Sequence, residues 1–513
     1  MTGRIFGAAD VASDITLDPQ VCIIGSGAGG AVLAAGLVAQ GLDVVMLEAG
    51  GHFTREQFTG DEAWSFDRMY QERGARATED LAFTVLQGRT VGGSTTINWT
   101  TCYRTPDRVL AHWAEHHGIE GLDPDTMGPH FESVEHRLNI REWPAGAANQ
   151  NNQVLLRGGQ ALGWDPHLLR RNVRGCVNSG YCGLGCPVDG KQAMGVSYLS
   201  DAVRDGLRIY SNVEATRIEH ANGRATAVHA SVLDPHTDRP TGASITVRPK
   251  ILVSAAGAIN GPALLLRSGI EGGGLVGRRT FIHPVCGVAG LYEQPINPWH
   301  GAPQSVGCHH FNVRGPGQMG YFLESAPLQP MLASTVGSQF GSEHSAFMGR
   351  LGHVGVLIAL GIDGFLPEDV GGAVKVKADG RIWLDYPVRA PLLEALKDAH
   401  LNMARCHLAA GALEQVTLHS DPVRIRGEAD LALLADAPYG AHKHTMFTAH
   451  VMGGCGMGGD PASSVVDTEH RLRGFENVFV VDGSVLPTSL GVNPSQTIYG
   501  LAHRARGFVA AAV

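Results

Sequence analysis

Apolar positions along this chain fall in short uninterrupted runs, and the first of them anchors everything that follows. Val21–Ile24 is apolar throughout and reads as a fully buried strand. Gly25-Ser26-Gly27-Ala28-Gly29-Gly30 comes next, then an Ala-rich helix to about Gln40, closed by Gly41. A second run, residues 44–47, ends on Glu48. Gly25 permits the tight turn, Gly27 lets backbone approach a pyrophosphate, and Gly30 lets the helix pack on the strand. The pyrophosphate would rest on the free N–H groups of the helix start around Ala28. Glu48, at the tip of the second strand, can bind both ribose hydroxyls of an adenosine. Strand, glycines, helix, strand and acid in register predict a bound dinucleotide, FAD or NAD.

The same pattern recurs further on. Residues 251–256 form an apolar strand running into small residues, with a helix expected to begin at Pro262, a favoured first helical position. Residues 203–219 read as a helix and a returning strand, and residues 225–233 and 244–247 as strands. Residues 477–481 are a buried strand closed by Asp482-Gly483. After it, Asn493 is expected to cap an Ala-rich helix with Pro494 at its first position. Residues 112–141 are helical with interruptions at Pro124, Gly128 and Pro129, and residues 143–152 read as a surface loop. Between residues 290 and 440 the dinucleotide-fold signals stop, leaving a strand near 382–388 and a helix over 392–410. Residues 1–20 read as an irregular lead-in.

A length of 513 residues allows two to four domains, and 44% hydrophobic residues exclude a disordered chain. A formal charge of -9 without a Lys/Arg run excludes nucleic acid as a partner. No apolar run approaches the ~18 residues of a transmembrane span. The N-terminus lacks a secretory layout, so a cytoplasmic location is expected; peripheral attachment to a membrane requires no visible motif. Nine cysteines, an odd number, argue against a disulfide framework. Three of them, Cys176-x5-Cys182-x3-Cys186 before Pro187, could wrap an iron–sulfur cluster of three irons or a zinc ion, form a disulfide, or simply pack. His442, His444 and His450 alternate as they would on one face of a strand. No carboxylate or cysteine completes a metal set with them, and no metal is expected there.

Three further stretches carry a resemblance. They are Gly88-Arg89-Thr90-Val91-Gly92-Gly93-Ser94-Thr95-Thr96-Ile97-Asn98-Trp99 with Tyr103-Arg104-Thr105-Pro106, residues 251–270, and the C-terminal stretches 448–458 and 491–502. Together with the glycine loop they resemble the glucose–methanol–choline oxidoreductases, which are FAD enzymes. The resemblance implies an α/β fold: a doubly wound FAD domain with an inserted α+β substrate domain on an antiparallel sheet. The FAD domain would span residues 1–290, with a Cys-containing insertion near 145–200. The substrate domain would span residues 291–440, and residues 441–513 would return to the first.

Gly92, Gly93, Ser94 and Asn98 would then line the pyrophosphate and flavin, joined by Asp482, Gly483, Pro494, Gln496 and Thr497. Residues 94–99 contain no histidine, so FAD is expected to be noncovalent. The family's histidine maps onto His450, as general base for an alcohol hydroxyl, and its partner onto Asn493, as donor to the alkoxide while hydride moves to flavin N5. The expected reaction is oxidation of an alcohol to an aldehyde or ketone, with oxygen or an external acceptor taking the electrons. The 176–199 segment resembles the long-chain alcohol oxidase branch, which favours hydrophobic primary alcohols; sugars, sterols and aryl alcohols remain alternatives. An NAD dehydrogenase leaves residues 86–99 and the C-terminal helix start unexplained. A flavin electron carrier with the three cysteines as relay is the non-enzymatic alternative.

Overall fold

A computed structural model describes residues 3–337 and 339–513. Its first sheet has six parallel strands in the order Arg4–Phe6, Arg208–Ser211, Val44–Glu48, Val21–Ile24, Ile251–Ser254 and Val478–Val480. The four apolar runs read from the sequence form adjacent strands because each is buried on both faces. Val21, Ile23, Val44, Met46, Val253 and Phe479 meet the helices Ala28–Val38 and Ser495–Ala511 on one side. Cys22, Ile24, Val45, Leu47, Leu252 and Val480 face the opposite core, with Leu264 and Leu265 of the helix Gly257–Arg267. From the strand Val21–Ile24 the chain continues on one side to Val44–Glu48, and much later on the other to Ile251–Ser254. A crevice therefore opens at the carboxyl ends of these strands, where the glycine loop begins.

Three local expectations change. The lead-in contains two strands: Arg4–Phe6 closes an edge of the parallel sheet, and Ile15–Leu17 joins Pro240–Val247 in a four-stranded sheet. Both are three residues long and only partly buried, so neither leaves an apolar run to read. The second helix begins at Gly257 rather than Pro262, which lies inside it. Gly257, at φ +84°, has its N–H held by Asp482 Oδ2 at 2.8 Å, and this tertiary bond sets the start. The expected loop at 143–152 already contains the first turn of the helix Gln150–Ala161, capped by the Asn149 side chain.

The other large sheet is mostly antiparallel. Its main path runs Arg424–Ile425, Glu414–Thr417, Val285–Leu291, Val354–Gly361, Tyr321–Ser325, Val306–Cys308 and Pro166–Leu168. The helices Ala390–Ala409 and Gln150–Ala161 cover one face through Leu396, Ala399 and Val154 on Val288, Leu357 and Ala359. Side chains alternate along each strand, so Val285, Phe322, Glu324, Ile358 and Leu360 share the opposite face. The short strand Met446–Thr448 pairs with this sheet and with Phe83–Val85, so the chain enters His450 from the sheet's edge. Among the described residues no helix is long and apolar enough to cross a membrane.

Candidate active site

One cavity joins the glycine loop to the antiparallel sheet. At its first end lie Gly25, Ser26, Gly27, Ala28, Gly29 and Glu48, then Gly93, Ser94 and Asn98. Gly25 adopts φ +101°, and a Cβ there would stand 2.3 Å from the Ala255 carbonyl. A Cβ on Gly93 would meet Gly27 Cα at 2.8 Å, so the two glycine loops pass back to back. Ser26 ties them together. Its N–H and hydroxyl donate to Glu48 Oε2 (3.0 and 2.6 Å), and its oxygen accepts from the Gly92 N–H at 2.9 Å. Glu48 also accepts from Gly50 N–H at 2.8 Å, and burial raises its pKa. The helix Ala28–Val38 starts here with no side-chain cap, leaving its N–H groups toward the cavity. Asn98 Oδ1 is buried without a partner. Uncapped N–H groups, a glycine-cleared floor and an unpartnered amide fit a long dinucleotide whose phosphates supply acceptors and whose ring system supplies donors.

The far end holds His450 and Asn493, separated by 43 residues in sequence but with His450 Nε2 and Asn493 Nδ2 3.5 Å apart. Asn493 does not cap the terminal helix. Pro494 occupies the cap position of Ser495–Ala511, and the Asn493 side chain turns instead toward His450 and Glu324 Oε2, 3.4 Å away. Behind His450 stands the buried His283, whose Nδ1 lies 3.0 Å from His450 Nδ1. The backbone N–H groups of Leu490 and Gly491 both donate to His283 Nε2, at 3.4 and 3.3 Å. The two Nδ1 atoms share one hydrogen, and on the cavity side the Asn493 Nδ2 amide, which can only donate, faces His450 Nε2. Burial lowers the His450 pKa to about 4, so the ring is neutral.

Other expected contacts separate into those on the cavity wall and those behind it. Asp482, Gly483 and Pro494 line the cavity. Asp482 also accepts from the Gly257 and Ser484 N–H groups, holding one strand end to the neighbouring helix. Gln496 and Thr497 point the other way, Gln496 to Glu135 at 2.6 Å and Thr497 to Thr105 at 2.9 Å, because the helical rotation after Ser495 turns them off the cavity face. Gly30 packs under the loop against Gly25 and Ala255, and Gly92 makes the φ +95° turn into the second loop. Both serve the cradle from behind. The three clustered cysteines are free thiols, Cys182 buried and Cys176 and Cys186 half-buried. No group of three or more His, Cys, Asp or Glu among the described residues could hold a metal ion, so the iron–sulfur and zinc options gain no support. His444 packs against His400 and His419, with ring centroids 5.5 and 5.3 Å away.

Several participants had no sequence signal strong enough to single them out. Lys191 is buried and donates to the carbonyls of Thr96, Asn98 and Cys182 at 2.6, 3.0 and 2.7 Å, pinning the second loop from below. Burial lowers its pKa to about 8. Arg76 and Gln87 line the glycine-loop end, joined by a 2.8 Å hydrogen bond. Glu324 and Gln304 stand on the otherwise apolar sheet face, linked at 2.7 Å, with Thr101 donating to Gln304 at 2.8 Å. A lone acid in the alternating strand Tyr321–Ser325 was the visible hint for Glu324.

Two sequence models described as GMC oxidoreductase match residues 66–285 and 378–502. An uncharacterized GMC-type oxidoreductase of Mycobacterium tuberculosis is 32% identical over 486 residues, 94% of this chain and 74% of that one. A long-chain-alcohol oxidase of Arabidopsis thaliana is 30% identical over 507 residues, 94% of this chain and 66% of its own. Among solved structures, pyridoxine 4-oxidase from Mesorbium loti superposes with a TM-score of 0.72 at 20% identity, covering 96% of this chain and 99% of that one.

Proposed function

The chain belongs to the GMC oxidoreductases and is an FAD-dependent oxidoreductase, and from that premise we propose that it oxidises hydrophobic, long-chain primary alcohols to aldehydes. The observation that carries the reading is the meeting of His450 and Asn493 at the end of the cavity that begins at the glycine loop. FAD, when bound, supplies the two-electron acceptor for the carbinol hydride. The chain's own residues do the rest. Gly25, Gly27, Ala28 and Glu48 hold the dinucleotide end; Gly93, Ser94 and Asn98 carry it toward the reaction end. The absence of a histidine in residues 94–99 supports noncovalent attachment.

At the reaction end, neutral His450 takes the hydroxyl proton as general base, and the Asn493 amide steadies the alkoxide as negative charge develops on it. His283 holds the His450 ring in that orientation. Trp99, Val285, Ile358, Leu360 and Phe447 line the adjoining wall, which supports an alkyl chain over a sugar. We read residues 1–290 and 441–513 as the cofactor-binding part and residues 291–440 as the roof over the substrate. The 30% identity to a plant long-chain-alcohol oxidase points the same way.

Anaerobic mixing with a panel of primary alcohols, sugars, sterols and aryl alcohols tests the reading. Bleaching of the flavin is expected to be fastest with long-chain primary alcohols. Bleaching by none of them would leave the electron-carrier alternative.

A further inference from the structure

On the reaction-end face of the antiparallel sheet, the strand Val285–Leu291 presents Val285, Gly287, Ala289 and Leu291. The two middle residues are small, and their neighbours across the sheet are not. Gly287 pairs with Ile358 and Ala289 with Val356 on one side, and Val416 opposes Ala289 on the other. A Cβ on Gly287 would stand 3.4 Å from Ile358 Cγ2 and 3.7 Å from Leu418 Cδ1. Its φ lies outside the left-handed region, so the backbone does not call for glycine there. The face therefore carries a trough, floored by Gly287 and Ala289, with Ile358 and Val356 as one wall and Leu418 and Val416 as the other. Val285 and Ile358 also line the cavity, so the trough continues the reaction end outward.

The two ends of the trough differ in polarity. At the inner end Glu324, opposite Ile358, is fully buried on the cavity wall, and its Oε1 has no partner among the described residues. An orphaned buried oxygen marks a place for a polar ligand group. From Ile358 outward the strand positions on this face are apolar as far as Glu414, which stands opposite Leu291 and is held by Arg424 and Arg426 at 2.8 and 2.9 Å. Val285 to Leu291 covers ~20 Å at ~3.4 Å per residue. The helices Pro330–Val336 and Gly341–Gly349 roof the lane with Leu332, Val336, Phe347 and Met348. Polar ties hold the roof at its edges: Glu62 accepts from the Met331 and Leu332 N–H groups at 2.6 and 3.0 Å, and Glu343 meets Arg424 at 3.2 Å. The four roof residues, and Ala289, Leu291, Val416 and Leu418 below them, are only half-buried. An apolar lane left half open, and continuous with a cavity, is a binding surface rather than a sealed core.

We propose that this trough is the alkyl subsite of the enzyme: with the hydroxyl end of the substrate at His450 and Asn493, the hydrocarbon tail runs over Gly287 and Ala289 toward the rim at Glu414. This rests on the alcohol-oxidation reading and assigns its chain-length selection to two residues. The polar inner end and the apolar lane match the two ends of a long primary alcohol. Each methylene laid in the trough leaves water for apolar side chains, a gain of about fourfold in affinity. The gain stops where the tail passes Leu291 and meets solvent and charge. Gly287, nearer the reaction end, decides whether chains of medium length fit, and Ala289 decides only for longer ones.

The test fills the trough at two depths, with Gly287→Val near the reaction end and Ala289→Phe further out. Anaerobic flavin reduction of the holoenzyme is followed with primary alcohols from butanol to hexadecanol and normalised to bound flavin. In Ala289→Phe the rate at low alcohol concentration is expected to fall at least ~100-fold more for hexadecanol than for hexanol. Gly287→Val should move the cut-off to shorter chains than Ala289→Phe does. A second readout needs no turnover. Parinaric acid, a long alkyl chain that fluoresces in apolar surroundings, should bind the oxidised holoenzyme, be displaced by hexadecane, and bind Ala289→Phe at least tenfold more weakly. An unchanged chain-length profile in Ala289→Phe, an equal loss for every alcohol, or undiminished binding of the probe would overturn the assignment. Ala289→Phe decides alone if Gly287→Val does not fold. If no alcohol bleaches the wild-type flavin, the alcohol reading fails, and the probe titration still decides whether the trough holds an alkyl chain.

Discussion

Glu324 is fully buried, and its effect on stability can be worked out without turnover. Its pKa is raised from the usual 4.5 to about 8 in the folded protein. The folded state therefore favours the neutral acid, while the unfolded chain releases the proton near pH 4.5. Stability from this group is fully present below about pH 4.5 and drains away as pH rises through about 8. With each pKa unit worth ~1.4 kcal/mol, the drain amounts to ~1 kcal/mol at about pH 5.5 and to ~4–5 kcal/mol at about pH 8.5. Glu324→Gln cannot titrate, so any fixed cost of the substitution is the same at both pH values. The stability of the variant relative to wild type is thus expected to improve by ~3 kcal/mol between them. Urea unfolding of both proteins at the two pH values, followed by tryptophan fluorescence with flavin content held equal, measures this difference. A relative stability that does not change with pH, or that changes in the other direction, refutes a neutral buried Glu324.

Three other outcomes can be checked more quickly. His450→Ala removes the proposed general base, and anaerobic flavin reduction should slow ~10²–10⁴-fold with FAD still bound; a rate within threefold of wild type would remove His450 from the reaction. Lys191→Met leaves the carbonyls of Thr96, Asn98 and Cys182 without their donor, at ~3 kcal/mol or more. Flavin content after purification should fall with it, and full flavin occupancy with unchanged urea resistance would contradict the pinning role. Acid precipitation should release free FAD to the supernatant, and flavin that stays with the pellet would show a covalent link.

The parts legible in the sequence are those whose physical cause lies within a few tens of residues. Val21–Ile24 had to be a central strand because every one of its side chains is apolar. The loop after it had to be glycine, since Gly25 and Gly27 turn and clear a floor that a side chain would fill. The family signatures carried the same information further, and led to His450 and Asn493. What the sequence could not say is how distant side chains meet. Asn493 has the composition of a helix cap, and a cap it would be in isolation; contact with Glu324, 169 residues away, turns it into the cavity instead. His450 looks like any other histidine in the sequence, but His283, 167 residues earlier, holds its ring through their shared Nδ1–Nδ1 hydrogen bond. Lys191 and Glu324 look like ordinary surface charges until the fold buries them. Strand, turn and helix follow from local sterics and apolar period. Protonation states and hydrogen-bond direction follow from burial and from partners brought together only when the antiparallel sheet closes over the dinucleotide crevice.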